Sequence, residues 1–116
     1  MRTKKICDMD RRERRTRVAE LAARFGGDRL NLDCEIDSDD LWDLWNVIHV
    51  MPRITARALF PEKPSGYVTL TGWIGAYAAN KATAMDCRKR GDVNAATCYE
   101  KICEGIYGRF PETVRW

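Results

Sequence analysis

His49 is the one histidine in the chain, with Trp45 four residues before it and Trp42 seven before it. An imidazole in that setting could act as a general base. Nucleophilic catalysis also needs a serine or cysteine at a recognisable spacing, and neither Cys34 nor Cys87 stands at one. The spacing therefore predicts a packed or capping histidine and no catalytic residue. The five cysteines (Cys7, Cys34, Cys87, Cys98 and Cys103) are odd in number and include no CxxC pair, so they read as small core residues of a chain kept in a reducing compartment. No His/Cys cluster has zinc-finger or ribbon spacing. Asp33, Glu35, Asp37 and Asp39 alternate like the ligands of a calcium loop, but Ser38 stands where the turn needs glycine and Leu44 where a bidentate glutamate belongs. Gly72-Trp-Ile-Gly75 lacks the spacing of a phosphate-binding loop and reads as small residues for close helix packing. No metal and no cofactor is expected.

What does stand out is charge. Within residues 1–17, eight basic residues (Arg2, Lys4, Lys5, Arg11, Arg12, Arg14, Arg15 and Arg17) face three acidic ones, a local charge of +5. Within residues 28–43 seven acidic residues face Arg29 alone, a local charge of −6. Two partner-binding patches are therefore expected: an acidic one of Asp33, Glu35, Asp37, Asp39, Asp40 and Asp43, and a basic one of Arg11, Arg12, Arg14, Arg15 and Arg17.

The elements that must position these groups read as helices. A chain of 116 residues, 45% hydrophobic and 32% charged, suits a single domain and excludes collagen-like and wholly disordered classes. Its longest apolar stretch, residues 41–51, is interrupted by Asp43 and is too short for a bilayer, and no apolar run follows the N-terminal charges as a signal peptide requires. A cytoplasmic protein is expected. Val18, Leu21, Ala22 and Phe25 form a helical stripe in a first helix capped by Asp8 or Asp10 and stopped at Gly26-Gly27. Extended backwards, the stripe meets Arg14 and Arg11, so residues 1–17 should form a basic arm that protrudes, frays or meets a partner. Leu30, Leu32, Cys34 and Ile36 alternate with polar residues, and with no second strand to pair they predict an extended loop.

Ser38 is expected to cap a second helix, with Asp39 and Asp40 in its first turn and Leu41, Leu44, Trp45 and Ile48 turned inward. Pro52 should open a short third helix to about Phe60. Helices over residues 71–90 and 93–109, linked by Gly91 as stop and Asp92 as cap, predict an antiparallel hairpin. Those two roles also account for Arg90-Gly91-Asp92 without an integrin. The last helix should bury Ala95, Tyr99, Ile102, Cys103, Ile106 and Phe110. Lys81 falls on the inner side of its helix, between Tyr77 and Met85, and should form a structural ion pair, with Asp40 or Asp43 preferred. The fold class is all-α: a small single-domain bundle of about five helices with a C-terminal helical hairpin.

Tyr99, Gly91-Asp92 and Ala96 resemble the hairpin of a tetratricopeptide repeat. Asn80 and Pro111 depart from that pattern, which leaves shared geometry only. Gly66-Tyr67, Tyr77-Ala78, Asn80-Lys81, Ala84-Met85, Arg90-Gly91-Asp92, Tyr99-Glu100, Ile102-Cys103, Ile106-Tyr107 and Arg115-Trp116 resemble short uncharacterised bacteriophage-encoded helical proteins over residues 60–116. That resemblance implies phage origin and the cytoplasm of a bacterial host. There, small proteins without catalytic groups inhibit host machinery, as anti-CRISPR proteins do. With no nucleophile, base and oxyanion donor brought together, the leading expectation is a non-enzymatic protein-binding inhibitor of a host defence or nucleic-acid-handling complex. The alternative is a nucleic-acid-binding regulator that contacts phosphates through its basic N-terminal helix.

Overall fold

Asp10 opens the first helix. In the computed structural model, which describes residues 4–26, 29–32, 36–63 and 66–116, its carboxylate accepts the Glu13 N–H at 2.8 Å while Glu13 Oε1 accepts the Asp10 N–H at 3.3 Å. This reciprocal capping box satisfies donors that the first helical turn leaves unpaired. Helix α1 spans Arg11–Phe25 and buries Val18, Leu21 and Phe25, the expected stripe. Helix α2 spans Ser38–Val50, and its cap is Asp37, not Ser38: the Asp37 carboxylate accepts the Asp40 N–H at 2.9 Å. Ser38 becomes the first helical residue and is buried. One residue, Met51, separates α2 from α3 (Pro52–Leu59), whose opening proline has its φ preset for a helix and lacks only an N–H that would be unpaired there.

Helix α4 spans Val68–Lys89 and α5 spans Val93–Tyr107. Between them Gly91 takes φ +80°, the left-handed region where a side chain is strained, and the Asp92 carboxylate caps α5 by accepting the Ala95 N–H at 3.1 Å. The α4–α5 hairpin forms as its short link requires, and the described residues contain five α-helices and no strand. Helix α4 is the centre of the fold and packs on both α2 and α5. Leu41, Leu44, Val47 and Ile48 of α2 share the core with Ile74, Ala78 and Ala82 of α4.

Three expectations need correction. Residues 4–17 do not protrude: Ile6 lies in a 3-10 turn (Ile6–Asp8) against α2, is 2% exposed, and its carbonyl accepts from Arg14 Nε at 3.0 Å. The arginine that breaks the apolar stripe of α1 thus anchors the segment in front of it. Ile102 is 46% exposed, because α5 turns Ala96, Cys103 and Ile106 toward its neighbours. Among the described cysteines, Cys7 and Cys98 are exposed, and Cys87 and Cys103 are buried. Cys34 lies outside the described residues. Leu30, Leu32 and Ile36, described on either side of it and outside any helix or strand, are buried, and the Leu30 N–H donates to the Val114 carbonyl at 3.2 Å.

Candidate polyanion-binding face

The acidic and basic segments of the sequence meet each other inside the fold. Arg17 Nη2 donates to Asp40 Oδ1 at 2.6 Å, and its Nε donates to Asp43 Oδ2 at 2.9 Å. Its Nη1 reaches Glu20 at 3.3 Å, and Arg24 Nη1 donates to the second oxygen of Asp40. The Asp43 side chain is wholly shielded from solvent. Burial alone would push the Arg17 pKa down, but bonds to Asp40 and Asp43 outweigh it and hold the guanidinium above its ordinary value.

This pairing changes the meaning of several expected site residues. Asp40, Asp43 and Arg17 bind one another and clamp α1 to α2. Asp37 is exposed and serves as the α2 cap, and Asp39 is exposed. Asp33 and Glu35 lie outside the described residues. The expected pairing of Lys81 with Asp40 or Asp43 does not form, since Arg17 holds both carboxylates. Lys81 Nζ instead donates to the Leu32 carbonyl at 2.7 Å and lies 5.8 Å from the centre of the Tyr77 ring.

With Asp40 and Asp43 engaged by Arg17 and Arg24, the remaining cations of α1 sit in a different setting. Arg11, Arg12 and Arg15 are exposed on α1, and Arg53 and Arg57 are exposed one turn apart on α3, which packs beside α1. Among the described residues none of these five forms an ion pair. Arg11, Arg14 and Arg53 line an open groove of about 530 Å³, together with Val50, Met51, Pro52 and Ile54. No described carboxylate lines it. Arg14 is held in place through its bonds to the Ile6 carbonyl at 3.0 Å and the Cys7 carbonyl at 3.5 Å. Sequence reasoning placed Arg11 and Arg14 here but missed Arg53 and Arg57. Their signal was an i, i+4 arginine pair on the helix opened by Pro52, which the local charge counts passed over.

Elsewhere the fold offers less for chemistry. His49 is exposed and lies against Trp45, with ring centres 4.3 Å apart. A cavity of about 550 Å³ lies along the α4–α5 seam between Tyr77, Tyr107 and Trp116, with Lys81 and Glu104 at its edge. Its aromatic walls already carry cations from the chain: Lys81 over Tyr77 and Arg115 over Tyr107 at 5.6 Å. Among the described residues no three His, Cys, Asp or Glu side chains cluster as metal ligands, and no helix is long and apolar enough to cross a membrane. Neither a family model, nor a curated protein, nor a solved structure matches the chain.

Proposed function

We propose that the chain is a non-enzymatic binding protein whose partner is nucleic acid, held by its phosphates on the arginine face of α1 and α3. One observation carries this reading. Asp40 and Asp43 of α2 are engaged by Arg17 and Arg24, while Arg11, Arg15, Arg53 and Arg57 are exposed with no ion pair among the described residues. Arg12, also exposed, borders Glu13, Glu20, Asp37 and Asp39 instead. A guanidinium presents a planar fork of donors that matches phosphate oxygens, and several together gain from release of the counterions around a polyanion. The other expectation, an anti-CRISPR-like inhibitor with an acidic surface that fills a basic channel of a host complex, keeps Asp39 and the cap Asp37 as its exposed described carboxylates. The arginine face is the better supported surface. The phage resemblance would put its work in the cytoplasm of a bacterial host.

Fluorescence anisotropy with short labelled DNA and RNA, single-stranded and duplex, tests the reading. Binding at low salt should weaken steeply as salt rises. Charge reversal at Arg53 and Arg57, or at Arg11 and Arg15, should weaken it by about tenfold or more, and Asp39→Lys should not weaken it. Absence of binding to every nucleic acid at low salt would overturn it.

A further inference from the structure

The groove within this face is built for more than phosphate. Arg11, Arg14 and Arg53 ring it, but Val50, Met51 and Ile54 also line it, and Val50 is 49% exposed at the end of α2. The sugar–phosphate backbone of a duplex would cover little of this apolar wall, whose exposed member is Val50. Duplexes keep the faces of their bases inside the stack. A single strand offers phosphates and an unstacked base together. Proteins that hold single strands pair a cationic track with aromatic rings or guanidinium planes on which bases stack, and in this groove the Arg14 guanidinium and the apolar side chains of Val50 and Met51 are what a base can meet.

Resting on the proposed nucleic-acid reading, we infer that this groove holds one unstacked nucleotide of a single-stranded nucleic acid. Its base lies against Val50 and Met51, and its flanking phosphates meet Arg11 and Arg53. The volume of about 530 Å³ falls within the roughly 300–1,000 Å³ that small-ligand sites occupy. Charge complementarity selects an anionic occupant, since three guanidiniums and no described carboxylate line the groove. Arg14 is fixed in advance by the Ile6 carbonyl, so little side-chain freedom is lost when its plane meets a base or its remaining N–H groups meet a phosphate.

The test compares three labelled probes against the whole chain: a single-stranded DNA, the same strand with its bases removed, and the duplex. The intact single strand should bind about three- to tenfold tighter than the other two, the scale of covering the exposed half of one valine. Val50→Ser, a change at an exposed position, should bring the intact strand down to the level of the abasic one and leave abasic binding unchanged. Arg53→Glu should weaken all three. Equal binding of intact and abasic strands, or preference for the duplex, would overturn the nucleotide groove while leaving the arginine face standing. No response of the intact strand to Val50→Ser would do the same. Failure of all three probes to bind at low salt would overturn the nucleic-acid reading itself.

Discussion

Arg17 Nε and Asp43 Oδ2 lie 2.9 Å apart across the α1–α2 interface, and the aspartate side chain has no solvent exposure. A carboxylate so placed is tolerated because the guanidinium satisfies it. Arg17→Ala should therefore cost roughly 2–3 kcal/mol, slightly under the usual loss for breaking a buried pair because Arg17 itself reaches solvent. Arg17→Lys should recover only part of this, since an ammonium lacks the planar fork that spans Asp40 and Asp43 together. Urea midpoints of the three proteins check the order.

A second ion pair ties the hairpin. Arg88 Nε and Nη2 donate to the two oxygens of Glu100 at 2.6 and 2.7 Å, linking α4 to α5. The hydrogen bond from Arg88 holds the Glu100 carboxyl below its ordinary pKa, so the folded state binds its proton less readily than the unfolded chain does. The pair's contribution is then complete at neutral pH and fades as pH falls from about 5 toward 3. Thermal melting of Glu100→Gln should lie below the parent at pH 7, and the gap should close in that acid window. A gap that stayed constant would mean the pair is electrostatically idle, as many exposed pairs are.

How much of this was legible in the sequence depended on distance along the chain. Gly91-Asp92, the stop at Gly26 and Pro52 as a helix start are local signals, and the structure uses each of them as such. Asp37 and Ser38 are adjacent cap formers, and which one caps is decided by whose oxygen reaches the free N–H three residues on. Spacing gives both an equal claim. Arg17 and Asp43 are 26 residues apart, so their charges read as two opposed patches until α1 and α2 dock. The groove was half visible: Arg11 and Arg14 lay in an obvious basic run, but Val50 and Arg53 join them only because the α2–α3 junction folds beside the start of α1.

Gly72 and Gly75 share one helix and should respond oppositely to substitution. A Cβ on Gly75 would meet Ile48 Cγ2 at 3.2 Å and Trp45 Cε3 at 3.3 Å, while a Cβ on Gly72 would meet nothing within 4 Å. Of these two glycines, Gly75 is the one at the close approach of α2 to α4. Gly72→Ala should stabilise by about 0.5–1 kcal/mol through helix propensity. Gly75→Leu should destabilise by about 2 kcal/mol through overpacking. Denaturant titration of the two variants checks both signs.

Trp116 closes the aromatic group at the end of the hairpin. Its ring stands edge-on to Tyr107 at 4.7 Å and to Tyr77 at 5.1 Å, and its carbonyl accepts the Tyr107 hydroxyl at 2.6 Å. Trp116→Ala keeps that carbonyl but removes the indole from rings that are partly or fully buried. The expected cost is roughly 1–3 kcal/mol, below that of a fully buried aromatic because Trp116 is itself partly exposed. A chemical-denaturation midpoint unchanged by the substitution would show that the indole lies loosely on the surface.

Salt dependence separates arginines that meet phosphate from arginines that only add to net charge. For a single strand, each phosphate contact contributes about −0.7 to the slope of log affinity against log salt concentration. Arg11→Gln and Arg53→Gln should each flatten that slope by about this amount, and the double variant by about twice as much, because the two guanidiniums meet separate phosphates. Arg88→Gln removes the same charge from the α4–α5 hairpin, where the guanidinium is already engaged by Glu100, and should leave the slope unchanged. Binding isotherms over a range of salt concentrations give all four slopes. If the three single variants flattened the slope equally, the protein would be attracting nucleic acid through overall charge, and the α1–α3 face would have no privileged part in holding it.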